Sequence, residues 1–141
     1  MRRILAVVLV VLTACRPSTA GTVTGASTPE SAVNAFLMAA KAQDLQAMSQ
    51  VWGTSRGAAA ATMDRTELER RELVLIRLMC QESAVLAGTT PGTAGRRLLR
   101  VEMTRAGRTV PVTFTTVQGP RERWYVEDLE VLRLQELCNT R

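Results

Sequence analysis

Histidine is absent from this sequence. With no imidazole, nucleophile systems of the Ser-His and Cys-His kind are excluded. A zinc site of the usual N/S type is excluded as well, because three cysteines do not complete four such ligands. Lysine is nearly absent. Lys41 is the single one, so arginine carries almost all of the positive charge. The formal net charge of +5 falls to +3 once Arg2 and Arg3 of the leading segment are set aside. Aromatic residues are few and scattered: Phe36, Trp52, Phe114, Trp124 and Tyr125. A nucleic-acid binder needs a dense basic stripe interleaved with stacking rings, and neither is present. The glycine-containing stretch "GTTPGTAG" lacks a following Lys-Ser or Lys-Thr and does not open a helix, so it is no phosphate-cradling loop. No resident cofactor is implied by any motif.

Long apolar runs are missing too. The run Ile4 to Leu12 has 9 residues, whereas a membrane-spanning helix needs about 20. What remains is an ordinary globular composition, 46% hydrophobic and 22% charged. The 141 residues are one domain's worth, enough to bury well over half of the unfolded surface.

The N-terminus has a distinct organisation. Met1-Arg2-Arg3 is a short positive segment and Ile4 to Leu12 an apolar core of the length found in secretory signal peptides. It ends Leu12-Thr13-Ala14-Cys15, which resembles the lipobox of bacterial lipoprotein signal peptides. The resemblance implies cleavage before Cys15 and acylation of its thiol, so that 1–14 is the signal peptide. Two or three acyl chains anchor stably where one is marginal, since each buried CH₂ contributes about 0.8 kcal/mol. The implied location is the bacterial cell envelope. Arg16 stands where an inner-membrane retention aspartate would be, which favours the outer membrane where the organism has one. Residues 15–27 hold the lipidated cysteine and then "RPSTAGTVTGAS", which is rich in Ser, Thr, Gly and Pro and reads as a flexible tether.

The domain is expected over 28–141. Thr28 can cap a helix that has Pro29 at its first position and Glu30 at its positive end. Val33, Phe36, Leu37 and Ala40 then form one apolar face. Asp44 can cap a second short helix through "LQAMSQVW", ended by Gly53. "GTSRGAAAAT" is open between a loop and a loop that turns into helix. Asp64-Arg65-Thr66-Glu67 resembles a capping box, and a long helix follows to about Cys80 with Leu68, Leu75, Ile76 and Met79 inward. Glu67–Arg71 and Arg65–Glu69 are its i,i+4 pairs. From Ser83 the period becomes two. "SAVLAGT" is a short strand and "TTPGTAG" a loop. Leu99, Val101 and Met103, then Val110, Val112 and Phe114, alternate with polar residues around an Ala106-Gly107-Arg108 turn. After a turn at Gln118-Gly119-Pro120-Arg121, "RWYVEDLEV" sets Trp124 and Val126 on one face and Tyr125 on the other. "LRLQELC" either extends that strand or forms a terminal turn of helix.

Helices first and an antiparallel meander after them argue for an α+β fold, with N-terminal helices packed on a curved antiparallel sheet, a cone-like roll. The segment from "TPESAVNAFLMAAKAQDLQAM" to "RWYVEDLEV" resembles the nuclear-transport-factor-two-like, or cystatin-like cone, family. That family holds both enzymes and plain binding modules. The resemblance implies a cone whose candidate pocket residues are Phe36, Trp124 and Val126. A non-catalytic module for a small apolar ligand or an envelope protein is the leading expectation. The alternative is an isomerase of the ketosteroid type, which needs a buried carboxylate base and a tyrosine-type donor in one pocket. Tyr125 is the only tyrosine, and it faces away from Trp124 and Val126.

Other groups have plainer readings. Asp44 and Asp64 suit helix caps, while Glu127, Asp128 and Glu130 suit a solvated strand end. Arg96, Arg97, Arg100, Arg105 and Arg108 lie near one hairpin and suit anionic headgroups or an acidic partner, although Glu102 among them points to an ordinary solvated face. With Cys15 acylated, Cys80 and Cys138 are left as an even pair in an oxidising compartment. That suggests a disulfide, with two buried free thiols as the alternative.

Overall fold

The computed structural model describes residues 23–139, so the lipobox and Cys15 lie outside the described residues. Helix α1 (Pro29–Ala42) starts at Thr28, whose hydroxyl accepts from the Ser31 N–H while the Ser31 hydroxyl accepts from the Thr28 N–H. Two otherwise orphaned donors are thereby satisfied at once. Helix α2 (Leu45–Val51) is capped by Asp44, which accepts from the Ala47 N–H at 2.9 Å. The ambiguous stretch resolves into two short strands, β1 (Gly53–Thr54) and β2 (Gly57–Ala58), and one turn of helix, α3 (Ala59–Thr62). Helix α4 (Arg65–Leu78) is capped by Asp64, which accepts from the N–H groups of Thr66 and Glu67. Both expected ion pairs form on it, Arg65–Glu69 and Arg71–Glu67, and Arg70 shares Glu67.

Four strands follow as an antiparallel meander in the order β3 (Ser83–Pro91), β4 (Arg97–Arg105), β5 (Arg108–Gln118), β6 (Trp124–Leu129). Strand β3 takes in the "TTP" expected as loop and pairs as far as Pro91 with Arg97. Register shifts between Leu86 and Gly88 and between Thr115 and Thr116 mark bulges, which bend strands and curve a sheet. The β4–β5 turn is Ala106-Gly107, both at positive φ (49° and 74°), the hairpin turn whose twist matches the flanking strands. Pro111 sits in β5 without breaking it. Thr113, two residues on, aims its N–H at the Glu130 carboxylate, past the reach of β6, and Pro111 presents its missing donor to that same open side.

The tail is helical: α5 (Val131–Cys138) packs Leu134 and Leu137 into the core. The Cys80 and Cys138 sulfurs are at bonding distance, which pins α5 to the end of α4 across 58 positions.

The helices and the inner sheet face enclose one core. Leu99, Val101 and Met103 of β4 and Val110, Val112 and Phe114 of β5 supply its sheet side, as alternation requires. Ala32, Val33, Phe36, Ala39 and Ala40 of α1 and Met48 of α2 close it from above. The Phe36 and Phe114 rings meet edge to face, with centroids 6.2 Å apart. A smaller cluster of Ala58, Val117 and Tyr125 lies on the opposite side of the sheet, under the β1–β2 hairpin.

The packed chain begins before residue 28. Gly25 donates to the Gln50 carbonyl at 2.7 Å, and Ala26 exchanges two backbone hydrogen bonds with Trp124. Arg123 donates to the carbonyls of Thr24 and Gly25, and the Thr24 and Tyr125 hydroxyls are 2.9 Å apart. The tether expected to run to residue 27 is therefore docked from Thr24 onward, along the outer edge of β6. Its composition hid this, because the docking rests mostly on backbone groups, a glycine and the Thr24 hydroxyl, and Ala26 is the one apolar side chain it buries.

Candidate functional site

Of the three residues expected to line a cavity, Phe36 and Val126 are packed in the core and Trp124 is half-buried. Phe36 is 0% and Val126 1% exposed, so no space large enough for water adjoins either side chain. Both belong to the main core. Trp124 is half-buried at the sheet edge, with the Arg97 guanidinium 6.0 Å from its ring centre. Met48, Leu99, Met103, Val112, Phe114 and Leu134 are likewise fully buried, and side chains fill the space between helices and sheet.

The carboxylates singled out from the sequence are used structurally. Asp44 and Asp64 cap helices. Glu127 pairs with Arg96, Asp128 accepts from the Leu129 N–H, and Glu130 accepts from the Thr113 N–H. The arginines near the first hairpin are engaged as well. Arg96 meets Glu127, Arg97 lies over Trp124, Arg100 meets Glu102, Arg105 donates to the Cys138 carbonyl, and Arg108 meets Glu136.

One acidic residue behaves differently. Glu72 lies on the inward stripe of α4, one turn after Leu68, and is 2% exposed. Its Oε1 has no hydrogen-bond partner among the described residues. Burial pushes its carboxyl up from 4.5 to about 7, and the neighbouring Glu69 charge adds to the rise. An unpaired buried carboxyl of this kind is uncommon in a folded chain and calls for an explanation.

Glu72 lines an open cleft of about 450 Å³ between α2, α3 and α4. Gln46, Ser49 and Gln50 come from α2, while Arg65 and Glu69 join Glu72 from α4. Gln50 brings a second buried oxygen without a partner, its Oε1. The Ser49 hydroxyl donates to the Gln46 carbonyl at 2.8 Å. Arg65 is held by Glu69 at 2.9 Å. Two of the lining residues thus hold a buried acceptor oxygen in want of a donor, and the one arginine among them is paired with a different carboxylate. Tyr125, the donor an isomerase would need, is not part of this cleft: it is buried against Ala58 and Val117 with its hydroxyl on Thr24.

Sequence reasoning passed over Glu72 because a charge on a long helix reads as solvated. The available signal was its spacing, four residues after Leu68 and three and four before Leu75 and Ile76, which puts it on the apolar stripe.

Elsewhere, Val74 and Leu75 of α4 and Trp52 at the end of α2 form an apolar groove edged by Arg70 and Arg71, with Val74 half exposed. No helix among the described residues is long and apolar enough to cross a membrane. No protein-family model, curated protein or solved structure matches the chain in comparisons with each.

Proposed function

We propose that the chain is a lipid-anchored protein of the bacterial envelope, and that its α+β domain is a non-catalytic binding module whose ligand seats in the Glu72 cleft. The signal-like segment, the lipobox and the short tether support the anchor. The observation that carries the binding site is the buried Glu72 oxygen without a partner, on a residue that lines an open cleft. Perturbed titratable groups in clefts concentrate at functional sites, because holding them there destabilises the fold. The filled interior directs the ligand to the helical layer and away from the cone.

The chemistry of the walls selects the ligand class. Glu72 and Gln50 both hold a buried acceptor without a donor, and the uncompensated charge is that of ionised Glu72. A small molecule with an ammonium or similar N–H cation supplies both the donor and the charge. Its binding holds Glu72 ionised and lowers the pKa of that carboxyl.

Thermal unfolding with butylammonium as the probe tests this reading. At pH 8 a ligand that binds only the folded state raises the melting temperature with concentration. The wild type is expected to respond and Glu72→Gln to lose most of the response. An equal response in both, or none in the wild type, contradicts the assignment of an ammonium ligand to this cleft.

A further inference from the structure

Another cleft, of about 270 Å³, lies at the end of the domain where the described residues begin. Three arginines line it, Arg56, Arg121 and Arg123, and no acidic residue does. Arg56 stands at the tip of the β1–β2 hairpin and Arg121 in the β5–β6 turn. The two turns are in contact: a Cβ on Gly57 would lie 3.8 Å from the Pro120 ring, and one on Gly119 would lie 3.2 Å from the Thr54 carbonyl oxygen. Arg121 holds a left-handed backbone, φ 58°.

These arginines differ from those of the first hairpin. The side chains of Arg56 and Arg121 are exposed and have no ion-pair or hydrogen-bond partner among the described residues, whereas Arg96, Arg100 and Arg108 each meet a carboxylate. Arg123 spends its Nε–H and one terminal N–H on the Thr24 and Gly25 carbonyls. A guanidinium has five donors, so the rest remain available. Collecting like charges without a counter-charge is unfavourable, and an anion relieves it. Guanidiniums suit phosphate oxygens in particular.

Placement indicates where the anion comes from. Val23, 69% exposed, is on the wall of this cleft. Cys15 is eight residues before it, a distance of at most about 28 Å of extended chain. An acylated Cys15 therefore keeps this end of the domain close to the headgroup layer. We propose that the cleft of Arg56, Arg121 and Arg123 is a site for a phosphate-bearing anion and that the anion is a lipid headgroup. The headgroup assignment rests on the lipid-anchor reading, while the anion site itself does not.

The test uses the full lipidated chain and the double variant Arg56→Gln/Arg121→Gln. Neither side chain has a partner to lose, so the variant folds as the wild type does, which its melting temperature in chloride checks. Inorganic phosphate at millimolar concentration is expected to raise the wild-type melting temperature above that in chloride of equal ionic strength, and the variant to lose the rise. In reconstituted vesicles, energy transfer from the tryptophans to a dansylated headgroup is expected to be higher with phosphatidylglycerol than with phosphatidylcholine alone. The variant is expected to fall to the phosphatidylcholine level. A phosphate response without dependence on vesicle composition overturns the headgroup and assigns the site to free phosphate. No response in either arm overturns the site. A mass spectrum without acyl groups on Cys15 sinks the anchor reading, and the phosphate arm then still decides the anion site.

Discussion

Burying Glu72 lowers stability at every pH where an unfolded glutamate is ionised. The unfolded chain loses this proton near pH 4.5, and the folded chain keeps it to about pH 7. Below the first value both states are protonated and nothing is lost. Between the two, only the unfolded state releases the proton, so stability falls as pH rises, and the loss is complete above about pH 7. A shift of this size corresponds to at most about 3 kcal/mol. Glu72→Gln keeps the shape and removes the ionisation. It is expected to raise stability in urea unfolding at pH 8 by about 1–3 kcal/mol, and by much less at pH 4. Gly25 is constrained by space as well as conformation. Its φ is +71°, and a Cβ there would stand 2.8 Å from both the Arg123 Cβ and the Tyr125 ring. Gly25→Ala is expected to cost about 1–3 kcal/mol in the same measurement. That cost would establish that residues before 28 belong to the folded unit.

Among the elements, local signals were strong for the helix starts and the meander. Thr28, Asp44 and Asp64 each cap a helix as their side chains allow, and every second residue is buried over Leu99 to Met103 and again over Val110 to Phe114. The signals failed where partners are distant. "LRLQELC" carries leucines compatible with either period, and only the core that Leu134 and Leu137 reach makes it α5. "GTSRG" has no apolar pattern, and β1 and β2 exist because they cover Tyr125 on the outer sheet face. The Glu72 cleft was the least legible feature, since it is assembled from α2, α3 and α4 around a residue whose type suggests solvent. The pairing of Cys80 with Cys138 depends on α5 being helical and docked. Cys138→Ser frees the tail in the unfolded chain and is expected to lower stability by about 2–4 kcal/mol, read from unfolding under non-reducing conditions. Leu134→Ala, at a fully buried site, is expected to cost about 2–5 kcal/mol by the cavity it leaves.

At the scale of the whole molecule, the space between helices and sheet is solid, and the distinctive chemistry lies outside it. The arginine cleft sits beside the start of the described chain, near Val23, and the Glu72 cleft opens in the helical layer. The proposed acylation of Cys15 predicts that Cys15→Ser loses radiolabelled palmitate incorporation and shifts the protein out of the detergent-soluble membrane fraction. Retention of both would remove the anchor from the account. The central claim is that Glu72 is held buried and unpaired to receive a cation. Carbon-13 NMR titration of the glutamate carboxyls, with Glu72→Gln to identify the resonance, tests it most directly. A Glu72 midpoint near 7 that moves down when butylammonium is added agrees with the account. A midpoint at the ordinary 4.5, unmoved by the amine, contradicts it.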